Sequence, residues 1–178
     1  IRGAVEIFNE KSDRSENLAY LEKVKKQTFV DPVTRVGNRK YAQVNLNNRY
    51  AEMKLHHVLF GILFADIDHF KKVRNKHGDT LANRILEMSA KSIKSCLKSI
   101  DTLGRWDEER FIVIIPNIQD LSELNQFAES IRKFIENSWL HVGDTIVRVT
   151  ASVGGTLSRK GDSLSSLLNR SEKLTDTA

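Results

Sequence analysis

The stretch from residue 103 to residue 116 reads LGRWDEERFIVIIP and joins a cluster of charges to an apolar run. Residues 111–115 are large and mostly β-branched, which predicts a buried strand ending at Pro116. The residues before that strand should turn the chain, yet none after Gly104 is Gly, Asn or Pro. Carboxylates and arginines at 105–110 take the place of the usual turn formers. The reason for this substitution is the main question that the sequence raises.

The composition is that of a water-soluble globular domain. Of 178 residues, 40% are hydrophobic and 29% charged, which is enough apolar material for a core. The net charge is +5, but the basic residues are scattered among 23 acidic ones, so we expect no nucleic-acid partner. A single Cys96 excludes a disulfide framework and favours a reducing, cytoplasmic location. No apolar run approaches the roughly 18 residues of a membrane span, so we expect no membrane contact by this segment. The chain lacks an initiator Met, and we expect it to be the cytosolic part of a longer sensor protein, either soluble or attached to a membrane.

The first half of the chain predicts a helix, a strand and a second helix. The predicted elements are a helix from Asn38 to His56, a strand from Val58 to Ala65 that runs into Asp66-Ile67-Asp68, a polar loop from Lys71 to Gly78, and a long helix capped by Asp79. The charged turn then joins the two strands of a hairpin.

The second half predicts a helix, another hairpin and a final helix. Asp120-x-x-Glu123 begins the helix; Trp139–Val142 and Thr145–Val153 are strands around Gly143-Asp144; Gly154-Gly155 ends the second strand; and a last helix begins near Asp162 or Ser163. The resulting order predicts an α+β fold in which one central sheet is covered by helices.

Two groups of carboxylates are candidates for chemistry. Asp66 and Asp68 stand two residues apart at a strand end, so we expect both to project from the same face as a site for Mg²⁺ or Ca²⁺. The alternative is a helix cap or a solvated strand end. If the second group, Asp107 to Glu109, meets the first at one sheet edge, the arrangement suits metal-assisted phosphoryl transfer.

Four segments together resemble one family. They are DPVTRVGNR (31–39), similar to D-x-L-T-G-L-x-N-R; FADIDHFKKVRNKHGD (64–79), similar to D-I-D-x-F-K-x-I-N-D-x-x-G-H; RWDEERF (105–111), where the family has R-Y/W-G-G-D/E-E-F; and TASVGGT (150–156), similar to T-x-S-x-G-x-A. In order and spacing they resemble the GGDEF domains, the diguanylate cyclase family.

The resemblance implies a domain organisation. It covers residues 31–178 and implies a largely antiparallel sheet flanked by helices, with the ferredoxin-like core of nucleotidyl-cyclase palm domains. Residues 1–12 resemble the end of a PAS sensor domain, and residues 13–30 resemble a signalling linker helix, with a loosely packed terminal helix as the alternative. A homodimer formed through that helix and the upstream sensor is therefore expected.

The family condenses two GTP molecules into cyclic di-GMP, and its functional positions fall on residues of this chain. The implied Mg²⁺ ligands are Asp66, the main-chain carbonyl of Ile67, and Glu109, of which Asp66 and Glu109 would be catalytic. The implied phosphate-binding residues are His69, Phe70 and Lys71, and the implied guanine-binding residues are Arg74 or Asn75, and Asn83. The implied inhibitory product site is Lys98 and Asp101, and the implied structural ion pair is Asp31 with Arg105.

The signature departs from the family pattern at three positions. Asp107 and Glu108 replace both glycines and Arg110 replaces the final Glu, while Phe111 is retained. We expect the lost glycines to strain a turn that needs positive φ, and their carboxylates to repel a triphosphate. Arg110 would offset part of this by pairing with Glu109 or Asp66. Asn83 stands where the family has the Asp that binds guanine, and its amide group replaces one hydrogen-bond acceptor of that Asp with a donor.

Three functional hypotheses follow. The first is a degenerate, catalytically silent GGDEF domain that serves as a regulatory or dimerisation module and binds GTP or cyclic di-GMP weakly. The second is an active or weakly active diguanylate cyclase. The third is a site for a metal or a different nucleotide, because Arg74 suits another base or anion.

Overall fold

A computed structural model describes residues 29–118, 120–143 and 145–176 of the chain. Within these residues there are four helices, α1 (Arg39–His56), α2 (Phe70–Ser95), α3 (Leu121–Glu136) and α4 (Leu164–Asp176), and six strands, β1 (Phe60–Ile67), β2 (Thr102–Arg105), β3 (Arg110–Pro116), β4 (Leu140–Val142), β5 (Thr145–Val147) and β6 (Ala151–Leu157). The predicted PAS-like end and most of the linker helix lie outside the described residues.

The main sheet has the order β2-β3-β1-β6, and all its neighbouring strands are antiparallel. With α2 and α3 as the two crossovers, this is the βαββαβ pattern of ferredoxin-like folds. Strands β4 and β5 form a separate two-stranded sheet inserted before β6. The predicted α+β fold with a largely antiparallel sheet is confirmed.

The central strands are buried on both faces, which explains their unbroken apolar sequences. Alternate side chains of β1 and β3 enter two different cores, since successive residues of a strand point to opposite faces. One core lies under α2 and α3 and takes Leu63 and Val113; the other lies under α1 and α4 and takes Phe64 and Ile112. None of the described helices is long and apolar enough to cross a membrane.

The edge strand β2 is covered by the segment that precedes α1. Gly37 N donates to Leu103 O at 3.2 Å, and Arg105 N donates to Gly37 O at 2.7 Å. A Cβ on Gly104 would lie 2.8 Å from the Cβ of Ala42, so glycine lets α1 pack directly onto this strand. The unpaired edge is thereby protected from pairing with another chain.

Two predictions about the first half are corrected. The strand predicted at Val58–Ala65 begins at Phe60 and extends through Asp66 to Ile67, because pairing with β3 and β6 continues to those residues. The loop predicted at Lys71–Gly78 is instead helical up to a kink at Gly78, where φ is 81° and ψ is 173°. Its polar residues lie on the exposed side of a helix rather than in a loop.

Two predictions about the second half are corrected as well. The single strand predicted at Thr145–Val153 is two strands: β5 pairs with β4, and β6 joins the main sheet. Gly154 and Gly155 lie inside β6 rather than ending it. A Cβ on Gly154 would come within 2.4 Å of Thr175 N, so the glycine permits the close approach of α4.

Candidate active site

The two carboxylates proposed as metal ligands come together at the end of β1. Asp66 is paired with Arg110 in the β1–β3 ladder, and Ile67 N donates to Glu109 O at 3.3 Å. Glu109, the last residue of the turn before β3, therefore lies beside Asp66 and Ile67. The antiparallel register brings these three residues together although 42 positions separate Ile67 from Glu109 in the sequence.

The environment of Asp66 disfavours its negative charge. Burial raises the pKa of its carboxyl, and the nearby carboxylates of Glu109, Asp107 and Asp68 raise it further against the opposing charge of Arg110. A bound cation would relieve this repulsion. The raised pKa of Asp66 is what a carboxylate that binds a cation shows when the cation is absent.

Asp68 has a structural task. Its carboxylate accepts hydrogen bonds from Thr150 Oγ1 at 2.5 Å and from Ser152 Oγ at 3.0 Å, and its backbone N–H donates to Thr150 O at 3.0 Å. These bonds tie the end of β1 to β6. Asp68 is therefore neither the helix cap nor the solvated strand end that was the alternative to a metal ligand, because its carboxylate holds two strands together.

The charged turn is closed by its own side chains. Asp107 Oδ1 accepts the backbone N–H of Arg110 at 3.2 Å, while its Oδ2 accepts Arg110 Nε at 3.1 Å and Nη2 at 2.9 Å. Arg105 Nε donates to Asp107 O at 3.1 Å, and its Nη2 donates to Glu108 O at 2.7 Å. Hydrogen bonds from carboxylate and guanidinium groups therefore stabilise this turn, where Gly, Asn or Pro would stabilise others. The expected pairing of Arg110 with Glu109 or Asp66 is wrong, because Asp107 is the nearer and better-aligned partner.

The expected backbone strain in this turn is also absent. Among the described residues, the non-glycine positions with positive φ are Arg35, His57, His69 and Asn117, so Asp107 and Glu108 are not in the left-handed region. Arg35, with φ of 60°, falls on the glycine of the family's D-x-L-T-G-L segment. The strain that follows from a missing glycine lies in that segment, while the signature turn has adopted a conformation that suits its side chains.

Cationic side chains of α2 face the turn. Lys71 Nζ lies 3.8 Å from Glu109 Oε1, and Arg74 Nη1 lies 3.6 Å from Glu108 Oε2. Arg74 Nε is also 3.6 Å from Asp79 Oδ1. The two pairs between α2 and the turn were not predicted from the sequence, because the three- and four-residue spacings that indicate ion pairs apply only within one helix.

The other nucleotide positions lie along the same helix. The predicted phosphate cradle is its beginning: His69 is the N-cap with φ of 57°, and Phe70 and Lys71 form the first turn, whose N–H groups have no acceptor inside the helix. Asn75 and Asn83 are exposed further along it. The structure brings the cradle positions and Arg74 beside the turn.

The donor set fits a hard cation. No group of three or more His, Cys, Asp and Glu side chains converges within residues 29–118, 120–143 and 145–176. The predicted site needs only two carboxylates, Asp66 and Glu109, with the carbonyl of Ile67, and such all-oxygen sets are what Mg²⁺ prefers. The adjacency of these residues and the raised pKa of Asp66 support that fit.

The predicted ion pair between Asp31 and Arg105 is present in the structure. Arg105 Nη1 lies 3.3 Å from Asp31 Oδ1, and both side chains are largely buried. Burial alone would raise the pKa of Asp31, but hydrogen bonds from Thr34 and the charge of Arg105 hold that pKa below its ordinary value. Arg105 therefore connects the segment before α1 with the charged turn.

The predicted inhibitory pair lies in the connection between α2 and β2. Lys98 N donates to Asp101 Oδ2 at 2.8 Å, and Lys98 Nζ lies 5.9 Å from the centre of the Phe127 ring. Asp101 Oδ1 is a buried oxygen without a hydrogen-bond partner in the described part of the chain. A cavity of about 450 Å³ lies beside the pair, lined in part by Arg35 and Tyr41.

One further contact went unnoticed in the sequence. The guanidinium of Arg39 lies 4.7 Å from the centre of the buried Trp106 ring, which itself packs edge-on against Phe64 at 5.6 Å between centroids. Trp106 thus anchors the beginning of the charged turn in the core beneath α1.

Comparisons with known proteins agree on the family. The family model described as "Diguanylate cyclase, GGDEF domain" matches residues 28–178. Diguanylate cyclase VdcA of Vibrio cholerae is 34% identical over 116 residues, which cover 64% of this chain and 34% of that protein. The response regulator PleD of Caulobacter vibrioides is 30% identical over 146 residues, covering 80% and 32% respectively. The chain thus spans about a third of the length of these curated relatives.

Solved structures share the fold. Diguanylate cyclase SiaD of Pseudomonas aeruginosa, solved in complex with its activator SiaC, has a TM-score of 0.82 at 27% identity, covering 97% of this chain and 67% of that one. The coiled coil and GGDEF domain of DgcB from Caulobacter crescentus, in complex with cyclic di-GMP, has a TM-score of 0.88 at 21% identity, covering 97% and 92%. With the family model matched over most of its length, the chain belongs to the GGDEF family of diguanylate cyclase domains.

Proposed function

We propose that this GGDEF domain is catalytically silent and acts as a regulatory or dimerisation module in cyclic di-GMP signalling. The observation that carries the proposal is the self-closed turn at Asp107–Arg110, in which the carboxylate of Asp107 is occupied by Arg110. The side chains at the signature positions stabilise the turn itself. The turn therefore lacks the uncovered glycine backbone against which the family binds GTP.

Charge at the turn argues in the same direction. The Glu108 side chain is 57% exposed, so its carboxylate would meet a polyanionic substrate. A like-charge contact at about 4 Å costs on the order of 1 to 4 kcal/mol, depending on the local dielectric. Arg110 replaces a carboxylate at the fourth signature position, and its pairing with Asp107 leaves that loss uncompensated.

Base recognition is weakened independently. An Asp at the position of Asn83 would accept two N–H bonds from guanine, whereas an amide turns one of those acceptors into a donor. Arg74, at the other reading position, is held between Glu108 and Asp79. Both changes lower the expected selectivity for GTP.

A second candidate function is a working or weakly active diguanylate cyclase. The adjacency of Asp66, Ile67 and Glu109 favours it, since these residues would hold Mg²⁺. The cation, when bound, would neutralise phosphate charge and activate an attacking hydroxyl. In this candidate, Asp66 and Glu109 hold the cation, and the first turn of α2 holds the phosphates.

The proposed partners follow from the same residues. Lys98 and Asp101 keep a charged pair at the inhibitory position, but lysine lacks the planar fork of arginine, so we expect weak binding of cyclic di-GMP there. We also propose a cytoplasmic homodimer assembled through the linker helix and an upstream sensor. Analytical ultracentrifugation of the 178-residue chain with and without residues 1–28 tests that assembly.

Turnover is the decisive measurement. The purified chain is incubated with GTP and excess Mg²⁺, and cyclic di-GMP is quantified by chromatography and mass spectrometry. We expect no product from the natural sequence and a gain of product from the triple substitution Asp107→Gly, Glu108→Gly and Arg110→Glu. Clear accumulation of product by the natural sequence would reject the silent-module proposal in favour of the cyclase.

A further inference from the structure

We propose that the acidic turn is an internal anionic ligand for the start of α2, so that the nucleotide site is occupied by the chain itself. Resting on the proposed function, this inference assigns the regulation of the same site. Under it, replacing the second glycine did more than remove a binding surface for GTP: the new carboxylate of Glu108, beside the retained Glu109, faces the cations that a triphosphate would otherwise contact.

The contacts form two parallel pairs. Glu108 Oε2 lies 3.6 Å from Arg74 Nη1, and Glu109 Oε1 lies 3.8 Å from Lys71 Nζ. Lys71 and Arg74 are three residues apart, so they lie on one side of α2, and Glu108 and Glu109 are consecutive in the turn. Two successive carboxylates of the turn thus face two cations on one side of α2.

The beginning of α2 attracts negative charge for a second reason. Its first-turn N–H groups and the positive end of its dipole favour an anion there, yet the first turn of α2 contains no acidic side chain of its own. Helices α1 and α3 each have an N-cap side chain that accepts a first-turn N–H, Asn38 and Asp120, whereas His69 at the start of α2 makes no such bond. In α2 the carboxylates that complement the helix come from the turn, where a bound triphosphate would otherwise supply the charge.

Arg74 is the switchable member of this arrangement. Its side chain is 40% exposed and contacts Asp79 as well as Glu108, each at 3.6 Å. Exposed pairs of this kind are weak and sensitive to salt. The self-occupied state is therefore reversible, and a strong anion or the removal of the Glu108 charge would release Arg74 from the turn.

The test compares Glu108→Gln with the natural chain. Affinity for GTP and for inorganic tripolyphosphate, each with excess Mg²⁺, is measured by calorimetry at low and moderate ionic strength. Because an exposed ion pair is worth up to about fivefold in an equilibrium, we expect Glu108→Gln to bind both probes about two- to fivefold more tightly at low salt. The matched control is Glu123→Gln, which makes the same change in net charge at an exposed position of α3 and should leave both affinities unchanged.

A double-mutant cycle separates self-occupation from simple repulsion. Arg74→Gln should change affinity little in the natural chain, where Arg74 is engaged, and should abolish most of the gain in the Glu108→Gln background. A gain that survives Arg74→Gln, or no gain for either probe up to millimolar concentration, would overturn the inference. Cyclic di-GMP production is followed in the same samples: tighter binding without product supports both proposals, and product from the natural chain rejects the proposed function whatever the cycle shows.

Discussion

The substitution Asp107→Gly restores the family's first signature glycine, and we expect it to destabilise the protein. Asp107 accepts three hydrogen bonds from Arg110, one from the backbone and two from the guanidinium, at 2.9 to 3.2 Å. The turn does not use positive φ at this position, so glycine gains nothing in the folded state. What glycine adds is disorder in the unfolded chain.

The magnitude follows from these contacts. A hydrogen bond to a charged group contributes about 1.5 to 3 kcal/mol, the partly exposed ion pair adds about 0.2 to 1 kcal/mol, and glycine costs about 0.5 to 1 kcal/mol in backbone entropy. These terms overlap, so we expect a loss of about 2 to 4 kcal/mol in the free energy of unfolding. For a chain of this size that loss lowers Tm by about 4 to 16 °C.

Arg35→Gly is the matched comparison, because it restores a different family glycine at a position where φ is 60°. The left-handed conformation costs an L-residue about 1 to 2 kcal/mol, of which the entropy of glycine returns about 0.5 to 1 kcal/mol. We therefore expect Arg35→Gly to raise the free energy of unfolding by up to about 1.5 kcal/mol. Asp107→Asn is the second comparison, since it keeps the acceptor for Arg110 N–H and removes only the charge, and it should fall between the natural chain and Asp107→Gly.

Urea unfolding followed by circular dichroism, with calorimetric Tm values, measures all three variants. One contradicting result is an Asp107→Gly variant within about 0.5 kcal/mol of the natural chain, the ordinary scatter of surface substitutions. The other is an Arg35→Gly variant that is destabilised more than Asp107→Gly. Either outcome would mean that side-chain closure of the turn contributes little.

Three further predictions concern packing, cation binding and pH. Gly154→Ala places a Cβ 2.4 Å from backbone of α4, so urea unfolding should show a loss of about 3 kcal/mol or more in the free energy of unfolding. Gly143→Ala has open space around its Cβ position and should lose only the cost of its left-handed φ, about 1 to 2 kcal/mol. Asp66→Asn should raise Tm in metal-free buffer at neutral pH, because the raised pKa of Asp66 means that its charge opposes folding. Mg²⁺ at tenfold its Kd should stabilise the natural chain by about 1.4 kcal/mol and leave this variant unchanged. Equal responses of the two proteins to Mg²⁺ would exclude Asp66 as a ligand. Asp31 has a pKa below its ordinary value of 3.8, so its charge stabilises the fold above that pH, and this stabilisation is lost as the pH falls through the folded-state pKa. The difference in unfolding free energy between the natural chain and Asp31→Asn should therefore shrink on acidification. A difference that stays constant with pH would contradict the ion pair with Arg105.

Much of the fold was predictable because its signals are local. Asn38 and Asp120 cap the helices that they were expected to begin, and the apolar run before Pro116 is a buried strand. The loop predicted before Gly78 failed because a polar sequence at the start of a helix looks the same whether it is exposed helix or loop. Gly154 was misinterpreted because the reason for a glycine inside a strand is a neighbouring helix, which sequence periodicity does not reveal.

The sequence by itself determined the alternation of helices and strands, the two-sided burial of the central strands and the residue types available at the site, since capping, side-chain periodicity and the identity of each group are properties of the chain. Only the tertiary structure decided how the charges of the signature are used. Which cation faces Glu108, and whether Arg110 pairs with Asp107 or with Asp66, depend on distances between elements that are far apart in sequence. Where a missing glycine strains the backbone depends on the φ angle that each segment adopts once folded. Electrostatic energy falls with distance and with solvent exposure, and both are fixed only when the sheet has formed.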